Sequence, residues 1–203
     1  MTRLPIPDTI RFVKSPARDA VADNASVETL VAEVLKRVAA EGDAAVRDYS
    51  EKFDKAALDR FEVTAEEREA AVERLDPQTR EDTEFAISNV RMFARAQFGT
   101  LQDLEVEIRP GVHLGHRNIP LDRVGCYVPG GRYPLLSAPI MSIVPAKVAG
   151  VGEIIACLPP NAHEAMIAGC HLSGADRIFR IGGAQAIAAM ALGTQSEIGR
   201  AVV

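Results

Sequence analysis

The sequence predicts an α/β protein: a helical N-terminal segment followed by a parallel sheet with flanking helices. Three observations predict it. Up to about residue 97, apolar residues recur at helical spacing among many charges. From Val124 onward, short runs of β-formers alternate with helix-like segments. Glycines and Pro-Gly pairs punctuate the boundaries. Because parallel strands need crossover connections, this alternation reads as βαβ units.

The first half is charged and helical. Val27, Leu30, Val31, Val34, Leu35 and Val38 form an apolar stripe after Ser26, a good N-cap, and Gly42 supplies a stop. Asp43 can cap a second short helix through Val46, Tyr49 and Phe53. Thr64-Ala-Glu-Glu67 has the capping-box form at the start of a third. Asp76-Pro77 opens a fourth, with proline at the first helical position, running to about Gln97 through Phe85, Val90 and Phe93. Its charges and those of its neighbours read as a solvated face.

A hairpin links the halves. Leu104, Val106 and Ile108 alternate with polar residues, Pro110-Gly111 offers a turn, and Val112 and Leu114 resume the alternation. His113 and His116 form His-x-x-His, a spacing that suggests a metal pair. On a strand, however, a separation of three places the two side chains on opposite faces, so solvent-facing or satisfied histidines are the better reading.

The second half reads strand, loop, helix, repeated. "VGCYV" is a strand, residues 137 to 149 a helix with Ser137 as its N-cap and Gly150 as its stop, and "EIIACL" a strand. "AHEAMIAGCHLSG" is a helix from the cap Asn161, "RIFRI" a third strand, and "AQAIAAMAL" a further helix after Gly182-Gly183. Pro145 marks a kink or a break in its helix. The expected organisation is residues 1–120 as helices plus hairpin and residues 121–203 as a Rossmann-like nucleotide-binding segment.

Composition excludes several classes. With 203 residues, 47% hydrophobic and 25% charged, the chain can bury a real core and is not a disordered sequence. A net charge of −5 without a Lys/Arg block disfavours nucleic acid as a main partner. No run of 18 or more apolar residues and no basic-then-apolar leader points to a membrane or to secretion, so a cytoplasmic protein is expected. The three cysteines, Cys126, Cys157 and Cys170, lack Cys-x-x-Cys spacing and read as reduced core thiols.

Ligands of open parallel sheets bind beyond the carboxyl ends of the strands, and two loops there are glycine-rich: "PGGRYPLLS" and "GGAQ". Paired glycines allow close backbone approach, and a following helix N-terminus favours an anion such as a diphosphate. Tyr127, at the end of its strand, is either a ring that stacks on a flat ligand or a core tyrosine with a satisfied hydroxyl. Gln185, in an apolar helix start, either caps backbone or reaches a ligand. Arg132 and Tyr133 could read an anionic substrate or stay solvated. Ser137 lacks a Gly-x-Ser-x-Gly setting, and paired cleft carboxylates, His-Glu-x-x-His and a Walker loop are absent from the sequence.

"LDRVGCYVPGG", "MSIVPAKVAGVGEIIACLPP" and "RIGGAQAIAAMALGT" resemble the histidinol dehydrogenase family, in the same order and at similar spacing. "EGDAAVRDYSEKFD" and "LDPQTREDTEFAISNVRMFARAQ" are similar to that family's opening helices. The resemblance implies an NAD-dependent enzyme that oxidises a primary alcohol to a carboxylate through a bound aldehyde, with a zinc ion at the substrate, a histidine base and an interlocked homodimer. It implies that Tyr127 and Gln185 contact NAD.

Two departures accompany the resemblance. The family's Gly-Pro-Gly-Asn segment, zinc ligands and catalytic histidine and glutamate have no counterparts up to "EIGRAVV", so no catalytic or metal residue is assigned and His113, His116, His163 and His171 are not substitutes. The chain is therefore expected to be a fragment, inactive alone; the alternative is a nucleotide-binding or interaction module of the same fold that catalyses nothing. "GGRYPLLS" stands where the family usually has a pattern like Gly-Gly-Thr-Ala-Pro-Leu. It is similar instead to histidinol-dehydrogenase-like paralogues, including sulfopropanediol dehydrogenase, and makes Arg132 the substrate-selectivity candidate.

Overall fold

The structure, a computed structural model, describes residues 25–130, 134–195, 198 and 201. In chain order, helices α1 (Ala25–Glu41) and α2 (Asp43–Tyr49) lead through a π-helical turn (Ser50–Asp54) to α3 (Ala65–Glu73) and α4 (Pro77–Phe98). The antiparallel hairpin β1 (Leu104–Arg109) and β2 (Val112–His116) follows. Strands β3 (Arg123–Tyr127), β4 (Glu153–Leu158) and β5 (Arg177–Arg180) then alternate with α5 (Ser137–Val148), α6 (Glu164–Ser173) and α7 (Gly183–Leu192). The three strands pair in parallel in the order β3-β4-β5, which is the α/β architecture the alternation predicts.

Strand β4 decides how the layers stack. All of Ile154, Ile155, Ala156, Cys157 and Leu158 are buried, so both faces of the sheet need cover. Ile154, Ala156 and Leu158 pack with Ile143 of α5, Met166 and Ile167 of α6, and Ala71 of α3. Ile155 and Cys157 pack on the other face with Ala186 and Met190 of α7, Val34 and Val38 of α1, and Val46 and Tyr49 of α2. Helix α4 lies outside α5, joined through Ile87, Ile140 and Val144. The N-terminal helices are thus part of the sheet's cover on both faces.

A short segment also extends the sheet. The Val63 N–H donates to the Ile178 carbonyl at 2.8 Å, and the Arg180 N–H donates to the Phe61 carbonyl at 2.8 Å. Phe61 and Val63 consequently enter opposite cores, as period-two alternation requires. Between them, Glu62 takes a two-pronged ion pair from Arg177, at 2.8 and 2.6 Å.

Several helix boundaries differ from the sequence expectations. Helix α1 already includes Ala25, so Ser26 lies inside its first turn. Gly42, at φ +58°, holds the N-cap position of α2, and Asp43 is the first helical residue. The Asp43 N–H is satisfied by Oε1 of the distant Gln195 at 3.2 Å, so no local side-chain cap is needed. Phe53 belongs to the π-helical turn. Leu136 rather than Ser137 caps α5, because a turn from the Leu135 carbonyl to the Ala138 N–H, 2.9 Å long, starts the coil earlier. Helix α5 runs on through Pro145 to Val148, neither ending nor breaking there. His163, not Asn161, caps α6, its Nδ1 accepting from the Ala165 N–H at 3.1 Å. The Thr64 capping box and the Asp76 cap with Pro77 behind it form as expected.

Apolar stripes are only partly covered. Of the six apolar positions of α1, Val34 and Val38 are buried, while Val27, Leu30, Val31 and Leu35 are exposed. Every residue of the hairpin is exposed. No helix among the described residues is long and apolar enough to cross a membrane.

Two outcomes follow from this packing. Cys126, Cys157 and Cys170 are free and buried, and burial pushes the Cys170 thiol up to about 12 and the Cys157 thiol higher still. In native buffer, Ellman's reagent should therefore label none of the three within minutes, and all three after denaturation; prompt native labelling would contradict the packing. For Glu62, the Arg177 guanidinium is the main cause holding the carboxyl below its usual 4.5. A depressed acid stabilises the fold above the unfolded value and loses that contribution as pH falls through the folded one. Urea titrations of Glu62→Gln should show a loss of about 1 kcal/mol at neutral pH, kept small because the pair is about one-third exposed, and the difference should fade below pH 4.5.

Candidate cofactor site

Three strand ends and one helical turn meet at the carboxyl edge of the sheet. After β3, Gly130 passes so close to Pro159, which follows β4, that a Cβ would lie 2.7 Å from Pro159 Cγ. After β5, a Cβ on Gly182 would lie 3.3 Å from Pro159 Cα and 3.2 Å from Asp54 Oδ1. Gly183 adopts φ +62°, a conformation natural for glycine, and begins α7.

Tyr127 stands half-buried at the end of β3, packed against the α7-side core. Its hydroxyl oxygen accepts from the Gly183 N–H at 3.1 Å, tying the end of β3 to the start of α7. The phenolic proton remains available to donate elsewhere.

Gln185 is fully buried two residues after Gly183. Its Nε2 donates to Asp54 Oδ2 at 3.0 Å, whereas Oε1 has no partner among the described residues. A Cβ at position 183 would fall 2.7 Å from that oxygen, so only glycine fits there without displacing the amide. Gln185, Gly183 and Ala184 also line a cleft of about 210 Å³ with Leu30, Val31, Val34 and Phe53, in which Gln185 is the one polar side chain among the described residues.

Asp54 is the residue the sequence reading missed. It ends the π-helical turn and reaches Gln185 across 131 positions of chain. Burial raises the pKa of its carboxyl, while hydrogen bonds from Gln185 and the Gly182 backbone pull it back down. No periodicity or spacing links such distant residues. The available signal was chemical: a buried amide needs partners, and a carboxylate is a strong one.

Asp54 also changes the expectation for "GGAQ". The start of α7 has an anion beside it, but the chain supplies that anion itself, and the Gly183 N–H is already committed to Tyr127. The other glycine-rich loop contributes Gly130 to the described residues; Gly131, Arg132 and Tyr133 lie outside them.

The histidines are scattered. His113 and His116 are exposed on β2, where His113 lies 3.7 Å from Glu105 and His116 Nε2 lies 3.0 Å from the Gln102 carbonyl oxygen. His163 caps α6, and His171 sits in that helix's last turn. Among the described residues no group of three or more His, Cys, Asp or Glu side chains is arranged to hold a metal ion.

Comparison with known proteins identifies the family. The sequence model of histidinol dehydrogenase matches residues 17–201. The chain belongs to the histidinol dehydrogenase family. A histidinol dehydrogenase homolog 1 from Mesorhizobium japonicum is 47% identical over 192 residues, which are 92% of this chain and 38% of that protein. A sulfopropanediol 3-dehydrogenase from Ruegeria pomeroyi is 40% identical over 193 residues, 91% of this chain and 43% of that protein. The crystal structure of histidinol dehydrogenase from Elizabethkingia anophelis superposes with a TM-score of 0.77 at 32% identity, over 86% of this chain and 41% of that one. The chain thus spans about two-fifths of the length of these family members, and its helices and three-stranded parallel sheet follow the family's fold.

The Tyr127 tie is open to a direct check. Tyr127→Phe removes the acceptor of the Gly183 N–H, and thermal or urea denaturation should show about 1 kcal/mol of lost stability. An unchanged midpoint would mean that the bond contributes nothing.

Proposed function

We propose that this chain forms the cofactor-gripping part of an NAD-dependent dehydrogenase that oxidises a primary alcohol to the carboxylate through a bound aldehyde. One observation carries the reading: the buried Oε1 of Gln185, without a partner among the described residues, two positions after the Gly183 N–H that Tyr127 accepts, at the carboxyl edge of a parallel sheet. A buried acceptor without a partner is costly, and a ligand donor would relieve that cost. When bound, NAD supplies the hydride acceptor. The chain's own contribution is grip: Tyr127 offers a phenolic proton and a ring face, and Gln185 offers an acceptor.

The substrate we assign is L-histidinol or a related small polar alcohol such as a sulfonated diol. The 40% identity to a protein named sulfopropanediol 3-dehydrogenase supports the second, and Arg132 is the side chain whose chemistry suits an anionic group. The family's zinc finds no donor set among the described residues, and no step is drawn through it. For a second subunit, we assign the surface of α4 and the hairpin, where Phe93 is 67% exposed and Val106 and Leu114 face each other across the strands.

Calorimetric titration with NAD tests the reading. The chain should bind NAD, and Tyr127→Ala and Gln185→Ala should each weaken binding by about tenfold, roughly one hydrogen bond's worth. Equal affinity in all three proteins would remove the assignment. For specificity, Arg132→Ala in a full-length homologue should shift preference away from an anionic diol relative to histidinol; an unchanged preference would acquit the loop. For association, sedimentation should show less dimer in a full-length homologue carrying charged residues at the positions of Phe93 and Leu114, and an unaltered dimer would move the interface elsewhere.

A further inference from the structure

Asp54 touches Gln185, which the cofactor reading uses, and Gly182 just before α7, yet nothing in that reading gives it work. Its carboxylate sits against Gly182, 3.2 Å from where a Cβ would be, and accepts from Gln185 Nε2 at 3.0 Å. An ionised carboxylate can only accept hydrogen bonds, whereas a carboxamide has a donor end and an acceptor end. The contact therefore allows one orientation of the Gln185 amide: nitrogen toward Asp54, oxygen away from it. That oxygen is the atom left without a partner among the described residues, buried and bordered by a glycine.

The same carboxylate affects anions. It adds a negative charge beside Gly182, at the start of α7, the place where a dinucleotide's diphosphate would otherwise be drawn by helix polarity. A second anion there would meet like-charge repulsion.

We infer that Asp54 is a positioning residue: it locks Gln185 with Oε1 toward the cofactor and fills the α7 start, so Gln185 meets a hydrogen-bond donor, a ribose hydroxyl or an amino group, rather than a phosphate. This rests on the NAD reading above.

Asp54→Asn is the informative variant, since asparagine keeps the shape and can both donate and accept, so the Gln185 orientation is no longer forced. The fold should persist by circular dichroism, and NAD affinity should drop by about tenfold. In the Gln185→Ala background the same change should have no further effect. Overturning results are an Asp54→Asn protein that binds NAD as tightly as the parent, or one that weakens binding equally with and without Gln185.

A readout without cofactor separates this inference from the reading beneath it. The Gln185 side-chain amide should give an NMR resonance that moves on Asp54→Asn; an unmoved resonance would show that no lock exists. If the parent chain binds no NAD at all, the cofactor reading fails while this resonance still decides the lock. Inorganic diphosphate should leave the resonance in place, and a diphosphate-induced shift equal to that produced by NAD would overturn the donor assignment.

Discussion

Strand β4 carries no polar side chain from Ile154 to Leu158, and the arrangement of the other elements follows from that. Each large side chain among these residues gains roughly 1.5–3 kcal/mol from burial, but only if both faces of the sheet are covered. The two crossover helices, α5 and α6, cover one face. The other receives α7, α1 and α2, with Ile155 and Cys157 at the centre of the contact. A helical N-terminus that would be marginal by itself thereby becomes stable through tertiary packing. Its polar groups are drawn to the sheet at the same time.

The candidate site is a by-product of that cover. Once α2 is held by Val46 and Tyr49, the turn after it can only end near the start of α7, and Asp54 arrives at the mouth of the sheet. There the usual rules of a core are broken together: a buried amide with one spare acceptor, a carboxylate whose pKa burial raises, and a glycine at positive φ. Such concentrated local exceptions are characteristic of functional sites, because the surrounding packing must offset their cost. At the sheet's centre the packing is apolar, with all three thiols buried.

The surfaces left uncovered are as informative as the core. Helix α4 buries Thr83, Ile87 and Ala94 toward its neighbours while Phe85, Met92 and Phe93 face outward. The hairpin is amphipathic in register, with Val106 opposite Leu114 and Glu107 opposite His113, yet neither face is buried. Its strand pairing comes from backbone geometry and from Gly115, where any side chain would collide with the Leu104 carbonyl. These apolar surfaces belong to a chain that spans about two-fifths of its relatives' length.

The sequence by itself determined the elements and their class. Period-two and period-3.6 patterning, the Thr64 capping box, the Asp76-Pro77 start and the Gly-Gly turn are local signals, each readable over a few residues, and they yielded the parallel sheet, the hairpin and the positions of Tyr127 and Gln185. Tertiary structure alone decided what those side chains touch. The Asp43–Gln195 bond at the start of α2, the Phe61–Val63 edge and the Asp54 contact join residues through space, where burial and hydrogen-bond satisfaction outweigh local preference. The apolar stripe of α1 shows the same limit from the other side: periodicity marked six positions as one face, and only the line of contact with α7 chose two of them for the core. A sequence states which groups need partners; the fold, by bringing distant segments together, supplies them.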